Sequence, residues 1–146
     1  MNNVIFKIAT TQEELEQVKK MRYEIFTTEQ GIRAELDNDG DDERSIHLLA
    51  TNNLTNEPMA SGRLTINFDK GVLSRIAVNQ SFRGLKLGQQ VVKQLERIAR
   101  EKKVIELSLS PHSYLEKFYS DLGFKTEAGE KHVGKYTLLT MTKSLI

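Results

Sequence analysis

One run of this sequence has residue types and a spacing that suggest chemistry. It is Arg83-Gly84-Leu85-Lys86-Leu87-Gly88. This run lies between an apolar segment that ends at Val78 and a long amphipathic segment. A helix N-terminus presents unpaired N–H groups and the positive end of its dipole, so a glycine-containing loop there lets a phosphate approach the backbone. Arg83 and Lys86 would add positive charge. The spacing fits neither the Walker pattern nor the dinucleotide fingerprint, and a plain structural turn remains the alternative.

A second run, residues 115 to 124, contains one side chain that could take part in a reaction, Tyr119. Phe118, Leu122 and Phe124 are explained by packing in a core, and Tyr119 also fits as a half-buried packing residue. Either run alone is weak support for a function. The order of the two runs along the chain is stronger support for a function than either run alone.

Hydrophobic periodicity and turn residues predict the elements that position these two runs. Thr11 and Glu14 form a capping-box pattern, which predicts a helix from about residue 12 to 29 with a break near Arg22. An amphipathic helix follows Gly88, and the short strand after it predicts a βαβ unit with a parallel strand pair. Turns rich in Asn and Gly predict antiparallel hairpins at the centre of the chain. The predicted strands are Val4–Ala9, His47–Thr51, Met59–Phe68, Gly71–Val78, Val104–Leu109 and Tyr136–Thr142, with Phe124 also in the sheet and a short helix at Tyr114–Leu122.

Composition restricts the class of protein. The 146 residues, 38% hydrophobic and 28% charged, predict a single domain over residues 1–146. A net charge of +1 gives no field for a polyanion, so we expect no nucleic-acid partner. No apolar run is long enough to span a bilayer and no secretion signal opens the chain, so we expect a cytoplasmic protein without a membrane partner. The absence of Cys excludes disulfides, thiolate zinc sites and a cysteine nucleophile, and no hydrolase or zinc-protease motif is present, so we predict no metal.

The order of these features resembles the GNAT superfamily of acyl-CoA-dependent N-acetyltransferases over about residues 58 to 143. Residues 21 to 30, the acidic segment and residues 47 to 50 resemble more narrowly the small bacterial ElaA-like branch. The resemblance implies an α/β (α+β) fold with a mixed, mostly antiparallel sheet flanked by helices. It also implies acetyl-CoA as cosubstrate, bound where a central parallel strand pair, ending near Val78 and Leu109, splays apart.

The same resemblance implies roles for individual residues. The backbone of Ile76, Ala77 and Val78 would pair with the pantetheine arm, with the Val78 N–H facing the thioester oxygen, where charge develops. Tyr119 would protonate the departing thiolate, since a phenol with a pKa of about 10 suits a thiol with a pKa of about 8.5 to 9.5. The pyrophosphate would rest on the backbone of Arg83, Gly84, Leu85, Lys86, Leu87 and Gly88.

The chain departs from the family pattern at three places. Lys86 stands where the middle of the phosphate loop usually has glycine. Residues 110 to 112 lack the usual asparagine, and residues 134 to 137 lack the Gly-x-Pro-His of the ElaA-like branch. We expect the loop conformation and the choice of acceptor to be affected more than contact with acetyl-CoA.

Two residues are candidates for the base that takes a proton from the attacking amine. Glu29 faces the acceptor groove in the ElaA-like branch; otherwise it is a helix-capping or solvated carboxylate. His47 is either a base or a core histidine bonded to backbone. Arg63 and Arg75 would bind a substrate carboxylate, or pair with Glu29 or with the acidic segment.

The acidic segment, residues 35 to 43, is predicted to be a solvated loop at the rim of the acceptor site that favours cationic amines. In the register of a calcium-binding EF-hand loop, Ile46 falls where the bidentate glutamate belongs, so calcium is disfavoured.

These inferences predict an N-acetyltransferase that moves an acetyl group from acetyl-CoA to a primary amine, on a small molecule or a peptide, by direct attack in a ternary complex. A non-catalytic acyl-CoA-binding or sensing module is one alternative, motivated by Lys86 and the missing asparagine. A longer-chain acyltransferase of the autoinducer-synthase type is another, suggested by Arg22-Tyr23-x-x-Phe26. An edge strand near the C-terminus would allow a homodimer.

Overall fold

The computed structural model describes residues 3–37, 39–84, 86–127, 129–133 and 135–146. Its strands are β1 Val4–Ile8, β2 Ile46–Asn52, β3 Pro58–Asn67, β4 Lys70–Val78, β5 Glu106–Leu109, β6 Lys125–Thr126, β7 Lys131–Val133, β8 Tyr136–Leu138 and β9 Met141–Ser144. Its α-helices are α1 Gln12–Arg22, α2 Ala34–Asp37, α3 Leu87–Glu101 and α4 Glu116–Asp121. A π-helix covers Tyr23–Glu29, and 3₁₀ turns cover Asp42–Arg44, Gln80–Phe82 and Ser113–Leu115.

Helix α1 begins at the predicted capping box. Thr11 Oγ1 accepts a hydrogen bond from the Glu14 N–H at 3.1 Å, and the Glu14 carboxylate accepts bonds from the backbone N–H groups of Thr10 and Thr11. These backbone bonds lower the pKa of Glu14 to about 2. The helix changes to a π-helix at Tyr23, one residue after the predicted break at Arg22.

No helix in the described part of the chain is long and apolar enough to cross a bilayer.

Seven strands form one sheet in the order β1-β2-β3-β4-β5-β9-β6. Its neighbouring strands are antiparallel except for β4 and β5, which are parallel. Pairing between β4 and β5 ends where Val72 lies opposite Ser108, although β4 continues to Val78. The two strands therefore separate, and the predicted fold class, a mixed and mostly antiparallel sheet with a splayed parallel pair, is confirmed.

The prediction for the last strand is partly wrong. Instead of joining the main sheet, β8 pairs with β7 in a separate two-stranded sheet, and only β9 lies between β5 and β6. The change occurs after Leu138, because the Leu139 N–H donates to the carbonyl oxygen of Pro111 at 2.9 Å and so ties the chain to the segment that follows β5.

Helices cover both faces of the main sheet. Helix α3 crosses β3 so closely that a Cβ atom built on Gly62 would lie 2.7 Å from Val91 Cγ1. On the opposite face, Val18 of α1 packs in a cluster with Leu49 and Ala77. Successive residues of a strand point to opposite faces, so Leu48 belongs to the α3 side and Leu49 to the α1 side.

Candidate functional site

A cleft of about 820 Å³ lies beside the part of β4 that has no β5 partner. Its walls come from the π-helix, the end of β4, the segment that leads into α3, and the region around α4. Apart from the second base candidate, His47, every described residue that was predicted to be catalytic or cofactor-binding lines this cleft. Leu85 lies outside the described residues. These lining residues are Glu29, Ile76, Ala77, Val78, Arg83, Gly84, Lys86, Leu87, Gly88 and Tyr119.

A bulge in β4 turns the end of the strand toward the cleft. Ser61 of β3 lies opposite Ala77 and Arg63 lies opposite Ser74, so β4 holds one more residue than β3 over this stretch. Arg75, within the bulge, has a φ of +54°, a left-handed conformation that is rare outside glycine. Its Nε lies 2.8 Å from Asp37 Oδ1, so the side chain forms an ion pair with the acidic segment.

Val78, the last residue of β4, presents both of its backbone polar groups to the cleft. The Asn79 N–H donates to Met59 O at 2.9 Å, and hydrogen-bonded and non-bonded pairs alternate along an antiparallel ladder. The next pair, Val78 with Ala60, is therefore non-bonded, and its N–H and C=O groups point away from β3. Arg83 Nε donates to Val78 O at 3.1 Å from that side, so the Val78 N–H also faces the cleft.

The segment that enters α3 keeps a glycine-like backbone although its middle residue is a lysine. Lys86, at the helix N-cap, has φ 61° and ψ 25°. In the described part of the chain no side chain caps this helix start. Gly84 has a φ of +86°, and a Cβ atom there would meet no described atom within 4 Å. The N–H groups of the first turn of α3 are therefore left without a side-chain cap beside an open backbone, which suits an anionic ligand.

Tyr119 is a buried phenol in the cleft wall, with 4% of its surface exposed. Its ring packs edge-to-face on Phe118 at 4.9 Å and on Phe124 at 6.0 Å. Burial raises the pKa of Tyr119 to about 12, so the phenol keeps its proton at physiological pH. None of the described groups forms a hydrogen bond with its hydroxyl, which can therefore serve a ligand.

Glu29, at the end of the π-helix, is paired with Arg83. Two guanidinium nitrogens of Arg83 lie 2.5 Å and 2.8 Å from the two carboxylate oxygens. The hydrogen bonds from Arg83 lower the pKa of Glu29, which makes this carboxylate a weaker base. Both residues were predicted to lie at the site, but their pairing with each other was not predicted.

The acidic segment is bound to the sheet by arginines, so the prediction of a solvated rim is wrong for three of its carboxylates. Arg63 Nη2 lies 2.7 Å from Asp39 Oδ2, and the hydrogen bonds from Arg63 lower the pKa of Asp39. Burial alone would raise the pKa of Asp42, but bonds from two arginines lower it overall. The network consists of Arg22, Arg63 and Arg75 with Asp37, Asp39 and Asp42.

His47 is a core histidine that does not line the cleft. Its Nε2 donates to Asp42 O at 2.8 Å, and 5% of its surface is exposed. Of the two base candidates, only Glu29 therefore lies at the site. Among the described residues, no group of three or more His, Asp or Glu side chains is placed to hold a metal ion.

Sequence reasoning missed an aromatic cluster at the cleft mouth. His112 stacks on Tyr114 with ring centroids 5.2 Å apart and meets the edge of Tyr136 at 4.6 Å. Both tyrosines line the cleft, together with Lys135. Burial lowers the pKa of His112, so its imidazole is neutral at physiological pH. No local pattern joins residues that come together only when β8 packs against the segment after β5.

Comparison with known proteins agrees with this geometry. Residues 10–124 match the family model described as "Acetyltransferase (GNAT) family". A Bacillus subtilis (strain 168) protein named as a candidate acetyltransferase is 31% identical over 143 residues, which cover 94% of each chain. The crystal structure of Escherichia coli ElaA superposes with a TM-score of 0.84 at 23% identity, over 96% of this chain and 99% of that one. A GNAT family acetyltransferase from Elizabethkingia anophelis with acetyl-CoA bound superposes with a TM-score of 0.76 at 15% identity, over 99% and 100% of the two chains. The chain therefore belongs to the GNAT acetyltransferase family.

Proposed function

We propose that this protein transfers an acetyl group from acetyl-CoA to a primary amine. The observation that carries the proposal is the convergence, in one cleft, of the outward-facing end of β4, the uncapped start of α3 and the buried phenol of Tyr119. Membership of the family supports the transferase class. The acetyl-CoA bound to the Elizabethkingia anophelis relative supports the identity of the donor.

The cleft offers groups to two parts of acetyl-CoA, the pantetheine arm and the pyrophosphate. The backbone of Ile76, Ala77 and Val78 would hold the pantetheine arm as an added strand would be held. The backbone of Arg83, Gly84, Lys86, Leu87 and Gly88 would hold the pyrophosphate, and Leu85 belongs to the same run in the sequence. Acetyl-CoA supplies an activated acyl group as a thioester.

Three groups of this chain would act on the reacting atoms. As the amine nitrogen attacks the thioester carbon, the Val78 N–H faces the oxygen on which negative charge develops. When the carbon–sulfur bond breaks, Tyr119 donates its proton to the departing thiolate, and it regains a proton from solvent. Glu29 would accept a proton from the acceptor nitrogen, either from the bound ammonium ion before the attack, which frees the lone pair, or from the nitrogen after it has attacked. The chain has no Cys, so an acyl-cysteine intermediate is excluded and we propose direct transfer in a ternary complex.

Two measurements test this function. Acetyl-CoA should raise the melting temperature of the protein, and thiol release from acetyl-CoA should depend on addition of a primary amine from a panel of small molecules and peptides. If no coenzyme A derivative binds, the proposal is wrong.

A non-catalytic acyl-CoA-binding module is the second candidate function. It is favoured by one observation, the engagement of Glu29 by Arg83, which leaves the acceptor-side carboxylate occupied. Binding of acetyl-CoA without thiol release across the amine panel would support this candidate over the enzyme.

A further inference from the structure

We infer that the ion pair between Glu29 and Arg83, here named the latch, is opened by coenzyme A, and that its opening supplies the Glu29 carboxylate to the ammonium group of the acceptor. Arg83 would exchange one anionic partner for another, from the Glu29 carboxylate to the cofactor phosphate. The inference rests on the proposed function, because it assigns the order and the charge requirement of the same two substrates.

The latch joins two walls of the cleft. Glu29 ends the π-helix on the acceptor side, and Arg83 begins the phosphate segment 54 residues later. Side-chain exposure is 40% for Arg83 and 37% for Glu29, so water and a ligand reach both. An exposed pair of this kind can be exchanged without first burying an unpaired charge, in contrast to the buried Arg63 pairs.

In the closed latch, Arg83 also occupies the edge of β4. Its Nε donates to Val78 O, the group that would otherwise be open to the pantetheine arm. Arg83 therefore covers part of the binding edge as well as holding Glu29. When Arg83 turns to a phosphate, both the carbonyl of Val78 and the carboxylate of Glu29 become available.

The charges favour this exchange once coenzyme A is present. A guanidinium binds phosphate in the same two-point manner as carboxylate, and a pyrophosphate carries more negative charge than one carboxylate. The uncapped start of α3 adds a further site for the anion beside Arg83. Glu29 is the only acidic side chain among the described residues that line the cleft, so an incoming ammonium ion has this one carboxylate as partner.

The free energy of the latch sets the size of the expected change in coenzyme A affinity. Exposed ion pairs are worth about 0.2 to 1 kcal/mol, which corresponds to about a 1.4-fold to 5-fold change in affinity. Opening the latch reduces the binding free energy of coenzyme A by this amount. Removal of the Glu29 charge should therefore tighten coenzyme A binding. By reciprocity, bound coenzyme A should raise the affinity for a cationic amine by the same factor.

The binding test measures the Kd of free coenzyme A, which allows no turnover, for the wild type and for Glu29→Gln. We expect binding to Glu29→Gln to be about 1.4-fold to 5-fold tighter. Pantetheine, which lacks the pyrophosphate, should gain less affinity than coenzyme A from Glu29→Gln, because it competes with Arg83 only at Val78 O and offers the guanidinium no phosphate. In an Arg83→Ala background, Glu29→Gln should have no effect, because there is no guanidinium to release. The matched control is Glu101→Gln, which removes an exposed glutamate paired with Arg97 on the far part of α3 and should leave the Kd unchanged.

The kinetic test uses the same variants with an amine acceptor that is cationic at the assay pH. Glu29→Gln should raise the KM for this amine while it tightens coenzyme A, and these opposite signs are not expected from an ion pair that only stabilises the fold. Weaker coenzyme A binding by Glu29→Gln would show that Glu29 positions Arg83 for the phosphate, which overturns the inference. Equal tightening of pantetheine, or tightening that persists without Arg83, would also overturn it. Failure of the wild type to bind coenzyme A would instead refute the proposed function.

Discussion

Replacement of Tyr119 by phenylalanine should remove catalysis and leave the fold intact. The hydroxyl has no hydrogen-bond partner among the described residues, so its loss should leave the free energy of unfolding unchanged or raise it by about 1 kcal/mol. The pKa of about 12 lies above the value of about 10 for an exposed phenol, so burial disfavours the phenolate by about 3 kcal/mol. Tyr119 therefore keeps its proton until the coenzyme A thiolate forms beside it. Burial also disfavours the charge on that thiolate, which favours transfer of the proton to it. General-acid catalysis contributes about 10²-fold to 10⁴-fold, and we expect kcat of Tyr119→Phe to fall by that factor.

The assay measures thiol release by the wild type and by Tyr119→Phe from pH 6 to about 10. Acetyl-CoA and the amine are both saturating. Because Tyr119 stays protonated up to a pKa of about 12, no loss of activity on the alkaline side of this range should come from it. Unchanged turnover of Tyr119→Phe at every pH would refute the assignment of Tyr119 as proton donor. Tyr23→Phe is the matched control, since Tyr23 is an exposed tyrosine that does not line the cleft, and it should leave kcat unchanged.

The raised pKa of Tyr119 also has a consequence for stability that does not depend on activity. Between pH 10 and about 12 the phenol ionises in the unfolded chain but not in the folded one. The unfolded state then binds fewer protons, so the free energy of unfolding should decrease as the pH rises through this interval. Tyr119→Phe should lack this part of the decrease in denaturant titrations, and an identical pH dependence in both proteins would contradict the role of burial.

Three further predictions concern the elements that position the site. Gly62→Ala should destabilise the protein by about 1 to 3 kcal/mol, because the new Cβ would lie 2.7 Å from Val91 Cγ1; a melting temperature equal to wild type would contradict the close packing of α3 on β3. Lys86→Gly should stabilise it by about 0.5 to 1 kcal/mol, since a side chain in the left-handed region is strained, and thermal unfolding that shows a lower melting temperature would contradict this. Arg63→Met should cost about 1 to 3 kcal/mol at pH 7, as measured by urea unfolding, because Asp39 and Asp42 each lose one of two arginine partners. These aspartates have lowered pKa values, so the wild-type contribution should be lost as the pH falls below their usual value of 3.8, and the two proteins should then converge in stability.

Local signals in the sequence predicted most of the framework, because the interactions that form it are local. The capping box at Thr11 and Glu14 is complete within four residues, and α3 is formed where its apolar residues share one face. The assignment of Tyr119 and residues 76 to 78 to one site came from the family resemblance. Their convergence in one cleft agrees with that assignment, while their roles stay predictions.

What the sequence did not predict depends on contacts between distant residues. The Glu29–Arg83 pair spans 54 residues, and Arg63 lies 24 residues from Asp39. Each arginine had several carboxylates as possible partners, and only the fold decides among them. The separate β7–β8 hairpin was missed for the same reason. The local pattern of Tyr136–Leu138 predicts a strand, but contacts near Pro111 decide which sheet the strand joins.

The distribution of charge in the cleft gives a reason why the donor should precede a cationic acceptor. Among the described lining residues, Arg83, Lys86 and Lys135 are cationic, and only Glu29 is anionic. The carboxylates of the acidic segment do not correct this excess, because Asp37, Asp39 and Asp42 are neutralised by buried arginines. An ammonium substrate therefore meets a positive cleft whose one carboxylate is already paired. By the proposed opening of the latch, binding of polyanionic acetyl-CoA would reverse the local sign and release that carboxylate, so we expect acetyl-CoA to bind first and a cationic amine second. An acceptor without positive charge should lack this preference, which product-inhibition patterns for a cationic and a neutral amine would reveal.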